Sequence, residues 1–277
     1  MKMVGKNRGF TLIELLVVIA IIALLLSIVV PALGLAKEKA RNLQCRANVR
    51  SLGQAFRLYS EQSGGKVFGY GSMGLSNLWL TQIADQVGDI DKVRFCSSTK
   101  MVENPSTTNS TWGKAATNWV WINGVPQPMQ GSFGFNGYLY SKPLMSGTTL
   151  VTMPLDEWER SRWENATISA NSANIPVFID AAWVDLWPQD DDAIPANFDL
   201  LHEQTGMDFT GSNGPGRIHM YRCMLNRHSG DLSVAFLDGH AEPVPLSKMW
   251  SLKWSRAFKT DGREHIRQDG SPIYQKR

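Results

Sequence analysis

Cysteine is scarce in this chain: Cys45, Cys96 and Cys223 are the only three in 277 residues. An odd count with no C-x-x-C pair excludes a disulfide framework and the usual spacing of a zinc site. Two readings of the cysteines stand. An oxidising compartment permits one disulfide, with Cys45 and Cys96 the preferred pair, or all three are buried thiols packed as small apolar residues. Charge is also sparse, at 19% of residues, and no sign prevails. Lys2, Lys6 and Arg8 carry the whole net charge of +3, and the other basic residues balance the 25 acidic ones. Without a clustered basic surface there is no footprint for nucleic acid. A Gly-x-Ser-x-Gly elbow and a phosphate-cradling glycine loop are missing too, so the chain is not read as an enzyme. It has no internal repeat and no low-complexity tract.

What the chain has is an N-terminus of two unlike parts. A basic leader, residues 1–9, precedes a run from Thr11 to Ala36 whose one formal charge is Glu14. A bilayer needs about 20 apolar residues, and this run exceeds that. It is too long for the apolar region of a secretory signal peptide, about 7–15 residues. A plain anchor fits the length but leaves Glu14 unexplained, since a carboxylate within a membrane costs on the order of 2.5–3.5 kcal/mol and needs a partner. Lys37, Lys39, Arg41 and Arg46 follow the run, so counting flanking charges does not orient it. Pro31 removes a backbone donor and predicts a kink or local melting.

Helical periodicity continues to about Ser63. Ala36, Ala40, Leu43 and Ala47 form one apolar stripe, and Cys45, Val49, Leu52, Phe56 and Tyr59 an adjoining one. Ser63-Gly64-Gly65 is a helix stop, and the basic residues between the stripes read as a solvated face. Further on, Leu78–Val87 reads as a short helix. Residues 118–122, 133–140, 175–179 and 217–225 read as strands. Leu232 to Val244 reads as a hairpin turning at Asp238-Gly239, Leu246–Ala257 as a helix presenting Trp250 and Trp254, and 260–277 as a loose tail.

Gly9-Phe10-Thr11-Leu12-Ile13-Glu14-Leu15 resembles the processing site of type IV pilins and type II secretion pseudopilins. The resemblance implies cleavage after Gly9 by a prepilin peptidase and N-methylation of Phe10. Glu14 becomes residue five of the mature chain, paired with the new ammonium of its own or a neighbouring subunit, and Pro31 falls where many pilins have proline. A second resemblance covers more of the chain. His228, nine residues, then Asp238-Gly239 is similar to the C-terminal signature of prepilin-like proteins abundant in planctomycete-type bacteria. The Cys45–Tyr59 helix, Phe95-Cys96-Ser97, Ser132–Asn136 and Phe178-Ile179-Asp180 add to it.

The expected fold is α+β: a long N-terminal helix packed on an antiparallel sheet, pilin-like with loop-rich insertions. Its segments are a cleaved leader (1–9), a transmembrane and assembly helix (10–36), an amphipathic continuation (37–63), an exported domain (64–259) and the tail. The expected protein is a single-pass inner-membrane subunit with a cytoplasmic N-terminus. Its partners would be the bilayer, the prepilin peptidase/N-methyltransferase, other pilin-like subunits and assembly machinery. The alternative is a membrane-tethered binding module that recognises glycans through Trp112, Trp119, Trp121, Trp183 and Trp187 or uses a Ca²⁺-stabilised loop. An anchored enzyme ranks last. No cofactor is expected beyond that Ca²⁺, for which Asp180, Asp190, Asp191 and Asp192 are weak candidates without EF-hand spacing. Asp180, His228, Asp238 and His240 could meet as a metal cluster, but Asp238 suits a turn by backbone preference alone, with His228 hydrogen-bonding that turn.

Overall fold

A computed structural model describes residues 11–69, 78–122, 127–141, 145–146, 149–150, 155–166, 171–190, 192 and 219–260. Residues 1–41 and 42–277 form two separate compact units. Helix α1 (Leu12–Gln62) includes the apolar run and passes through Pro31 without the expected melting. The ring removes a single donor there, and the turns on either side keep their own bonds. The helix stops where Gly64 and Gly65 take positive φ, with the Gly65 N–H donating back to the Ser60 carbonyl at 2.7 Å.

Residues 42–277 are built on a five-stranded sheet. Single helical turns α2 (Trp79–Gln82) and α3 (Ala84–Val87) replace the one short helix expected between Leu78 and Val87, and a further turn, α4 (Ile90–Val93), follows them. Strands β1 (Trp119–Trp121) and β2 (Met129–Gly131) pair by themselves, as do β4 (Met145–Ser146) and β5 (Thr149–Leu150). The main sheet contains β3 (Phe133–Asn136), β6 (Pro176–Asp180), β7 (Asp185–Leu186), β8 (Asp231–Phe236) and β9 (Ala241–Pro245), in the order β7-β3-β6-β8-β9. It is antiparallel except for β7, which runs parallel to β3. Helix α5 (Leu155–Ser161) is the remaining helix.

Successive strand residues serve opposite faces, and two cores result. Phe135, Phe178 and Ala235 pack with Val49, Leu52 and Phe56 of α1, together with Phe68 and Trp79. Ile179, Val234 and Phe236 pack with Met220, Met249, Trp250 and Trp254. The stripe Cys45-Val49-Leu52-Phe56 is buried, whereas Ala36, Ala40, Leu43 and Ala47 are exposed. Other elements differ from expectation too: the strand expected over 133–140 ends at Asn136, and Gly137–Leu139 is a 3-10 turn. Residues 219–222 form a 3-10 turn rather than a strand, because the Asp192 carboxylate accepts the Met220 N–H at 2.7 Å and holds the chain curled. Leu246–Ser251 is also a 3-10 segment and does not continue to Ala257. Its tryptophans are not presented to solvent: Trp254 is buried and donates from Nε1 to the Met249 carbonyl at 2.8 Å, and Trp250 is buried.

Helix and sheet approach each other closely at Gly53. A Cβ there would lie 2.8 Å from the Ala235 Cβ, closer than methyl groups pack. Gly53→Ala is therefore expected to lower stability by about 1–3 kcal/mol through overpacking, against the gain of roughly 0.5–1 kcal/mol that alanine brings to an unobstructed helix. Urea unfolding measures it, and a stabilised variant contradicts the close contact.

Candidate functional site

The first unit offers a helix face and a helix start. Every large apolar side chain from Leu12 to Leu35 is at least 47% exposed. Among the described residues, α1 is the one helix long and apolar enough to cross a membrane. Gly9 and Phe10 lie outside the described residues. Glu14 is described, and it does more than sequence reasoning gave it. Its Oε2 accepts from the Thr11 N–H at 2.8 Å and from the Thr11 hydroxyl at 2.7 Å, while the Glu14 N–H reaches the Thr11 Oγ1 at 3.3 Å. This reciprocal pattern is a capping box, and Thr-x-x-Glu was the signal that could have revealed it. The carboxylate thus satisfies one backbone donor at the helix start, the Thr11 N–H, and the Thr11 hydroxyl oxygen satisfies a second, the Glu14 N–H.

The second unit brings the signature residues onto the helix, though not onto each other. His228 does not hydrogen-bond the Asp238 turn. It precedes a turn of its own, where Ser229 and Gly230 take positive φ. Its Nε2 lies 3.2 Å from Asp180 Oδ2 and 3.3 Å from Cys96 Sγ, and its Nδ1 lies 2.8 Å from Asn42 Oδ1 on α1. Asp238 pairs instead with its neighbour: Oδ1 accepts the His240 N–H at 3.1 Å and lies 2.5 Å from His240 Nδ1. The His240 ring stacks on Phe236 at 4.4 Å. Burial pushes the Asp238 carboxyl up, but the His240 bonds outweigh it and leave the group below its ordinary value. Gly239 supplies the positive φ the turn requires. The Asp238 carbonyl accepts from Arg57 Nη1 at 2.8 Å, which ties the hairpin tip to α1. The four residues Asp180, His228, Asp238 and His240 therefore form two separate pairs.

Beneath His228 lies a charge cluster that the sequence did not suggest. Asp180 is fully buried, with Oδ1 3.1 Å from Arg227 Nη1 and Oδ2 accepting the Ser233 N–H at 2.8 Å. Arg227 satisfies its remaining donors on the carbonyls of Lys114, Ala115, Ser132 and Ala181. Burial raises the Asp180 carboxyl, but His228 first and then Arg227 and Ser233 outweigh it, and the net shift is downward. Cys45 and Cys96 are joined by a disulfide, with their Cα atoms 4.8 Å apart. The Ser97 N–H donates to Cys45 Sγ at 3.0 Å. Closing a loop with partners 51 residues apart removes chain entropy worth about 4 kcal/mol. Cys223 is a separate buried thiol pushed well above its ordinary range by burial, then by Asp192.

The described members of the acidic run serve separate partners. Asp192 is buried, with Oδ2 taken by the Gln189 and Met220 N–H groups, whereas Asp190 is exposed and accepts from the Lys259 N–H at 3.3 Å. Asp191 lies outside the described residues, and Asp180 belongs to the Arg227 cluster. Trp119 and Trp187 are buried core residues. Trp112, Trp121 and Trp183 are half-buried and spend their faces on one another, with Trp112 stacked on Trp183 at 4.1 Å and Arg222 over Trp112.

The prokaryotic N-terminal methylation motif matches residues 5–30. The type II secretion system core protein G of Escherichia coli (strain K12) is 44% identical over 59 residues, which are 21% of this chain and 41% of that protein. The chain thus spans about two fifths of that relative's length. No solved structure matches.

With its folded value depressed, Asp180 stabilises the fold fully above the unfolded carboxylate range of about 3.9. That contribution is lost as pH falls from there through the lower folded value. Asp180→Asn should cost about 3–5 kcal/mol at neutral pH by stranding Arg227, and should flatten the acid limb of the stability curve. Arg227→Lys should also destabilise, since three donors replace five. A D180N variant as stable as the parent would rule out the depressed carboxylate as a source of stability.

Proposed function

We propose that this chain is a prepilin-like subunit, cleaved after Gly9, methylated on Phe10, held in the inner membrane by the first half of α1 and assembled into a pseudopilus or pilus-like structure. The observation that carries this reading is the coincidence of the methylation motif, residues 5–30, with a helix stretch whose large apolar side chains find no burial in their own chain. At about 1.5–3 kcal/mol for each large apolar side chain taken out of water, that stretch needs lipid or the same stretch of neighbouring subunits. Similarity to a type II secretion core protein supports the same class. The peptidase/N-methyltransferase, other pilin-like subunits and an assembly machine would be its partners, with residues from Asn42 onward outside the cytoplasm.

Two roles for Glu14 follow, and they separate experimentally. As a helix cap it needs only acceptor oxygens, whereas as the partner of a buried ammonium it needs its charge. Glu14→Gln keeps an acceptor for Thr11 and removes the charge, and Glu14→Ala removes both. Both variants should still be cleaved and both should fail to assemble; normal incorporation of E14Q would reduce the residue to a cap. Mass spectrometry of the mature N-terminus tests the class itself. A chain beginning at methylated Phe10 is expected, and an intact Met1 or a cut after Ala36 would reject it.

A further inference from the structure

We infer that Cys45, Cys96 and His228 form a three-residue zinc-class metal site when the disulfide is reduced, so that disulfide and metal are alternative cross-links at one place. Cys45 Sγ, Cys96 Sγ and the His228 ring nitrogen all lie within 4.8 Å of one another and all three residues are buried. In a tetrahedral zinc site with Zn–S near 2.3 Å and Zn–N near 2.0–2.1 Å, neighbouring ligand atoms sit about 3.3–3.8 Å apart. His228 Nε2 already has Cys96 Sγ at 3.3 Å and Asp180 Oδ2 at 3.2 Å. Opening the disulfide lets the two sulfurs separate to the distance of about 3.8 Å that those bond lengths require.

The surroundings suit ligands better than they suit an inert disulfide. Asn42 Oδ1, 2.8 Å from Nδ1, is the acceptor that orients a metal-bound imidazole with its lone pair on Nε2. The Ser97 N–H, 3.0 Å from Cys45 Sγ, supplies the kind of donor that stabilises a thiolate. Arg227 holds Asp180 from the far side and offsets its charge. Two thiolates then balance a divalent cation. Asn42 and Ser97 are only half-buried, so the site lies one residue below the surface.

The chemistry balances with a dithiol as reductant. It gives two electrons and two protons to the Cys45–Cys96 bond, which opens to two thiols while the dithiol closes to its own disulfide. Each thiol then loses its proton to solvent as its sulfur bonds the metal. The set is soft enough for Zn²⁺ or Co²⁺ and too sulfur-rich for Ca²⁺. The proposal rests on residues 42–277 alone and does not depend on the membrane and assembly reading.

Co²⁺ titration of the full chain in detergent, with and without a dithiol, tests it. The reduced chain should bind one equivalent with thiolate-to-cobalt charge-transfer bands and tetrahedral visible bands. Zn²⁺ should displace the cobalt, and the oxidised chain should show neither set of bands. His228→Gln should lose the tetrahedral spectrum, Asn42→Ala should weaken affinity about 10–100-fold, and Cys223→Ser should change nothing. If reduction unfolds the chain, Zn²⁺ should restore its circular dichroism. Absence of the bands from the reduced chain, an unaltered spectrum in H228Q, or a reduced and unfolded chain that zinc does not restore would each overturn the site.

Discussion

The packing of residues 42–277 depends on one buried carboxylate. Asp180 receives Arg227 on one oxygen and the Ser233 N–H on the other, with His228 against that second oxygen. Arg227 extends the connection to carbonyls at 114, 115, 132 and 181, and His228 extends it to Asn42 on the helix. A buried pair of this kind is not a source of large net stability, since desolvation offsets most of its attraction. What it supplies is connection. Loops with little regular structure, a strand and the long helix are all specified by one set of directional bonds, and a wrong arrangement would leave a charge buried and unpaired.

Asp180 would serve little if the helix could slide, and the contacts along α1 prevent that. The Cys45–Cys96 disulfide, the bond from Asn48 Nδ2 to the Phe95 carbonyl at 2.8 Å, the Gly53–Ala235 approach and the Arg57 bond to the Asp238 carbonyl follow one another along the helix. Core packing sets burial, and the polar contacts, the disulfide and the Gly53–Ala235 approach set register.

Much of this was legible in the residues, and the exceptions have physical causes. The helix, its glycine stop, the stripe from Cys45 to Phe56 and the Asp238-Gly239 hairpin are local patterns, and local patterns survive folding. Residues 219–222 read as strand because Met220, Tyr221 and Cys223 have strand-like composition, yet composition reports burial and not backbone conformation. The curl comes from Asp192, 28 residues away from Met220 in sequence. No local pattern marks Arg227 or Asn42, because their partners lie in remote segments. At Glu14 the misjudgement was of emphasis: the membrane argument for its charge hid the simpler Thr-x-x-Glu cap.

The spacing between His228 and Asp238 has a mechanical meaning. His228 meets the helix at Asn42, and the Asp238 carbonyl meets it at Arg57. At 1.5 Å per residue that stretch of helix rises about 22 Å. Between the two signature residues runs β8, whose six residues at about 3.3–3.4 Å each cover roughly 20 Å, and the turn at Ser229-Gly230 adds the remainder. Nine intervening residues thus match a strand to a length of helix, with Ala235 against Gly53 between the two ends. Lengthening the interval by one residue would turn Ala235 off the helix face and move one anchor away from its partner. A His and an Asp-Gly at fixed separation can therefore be required by helix docking alone, with no reaction for either residue to perform.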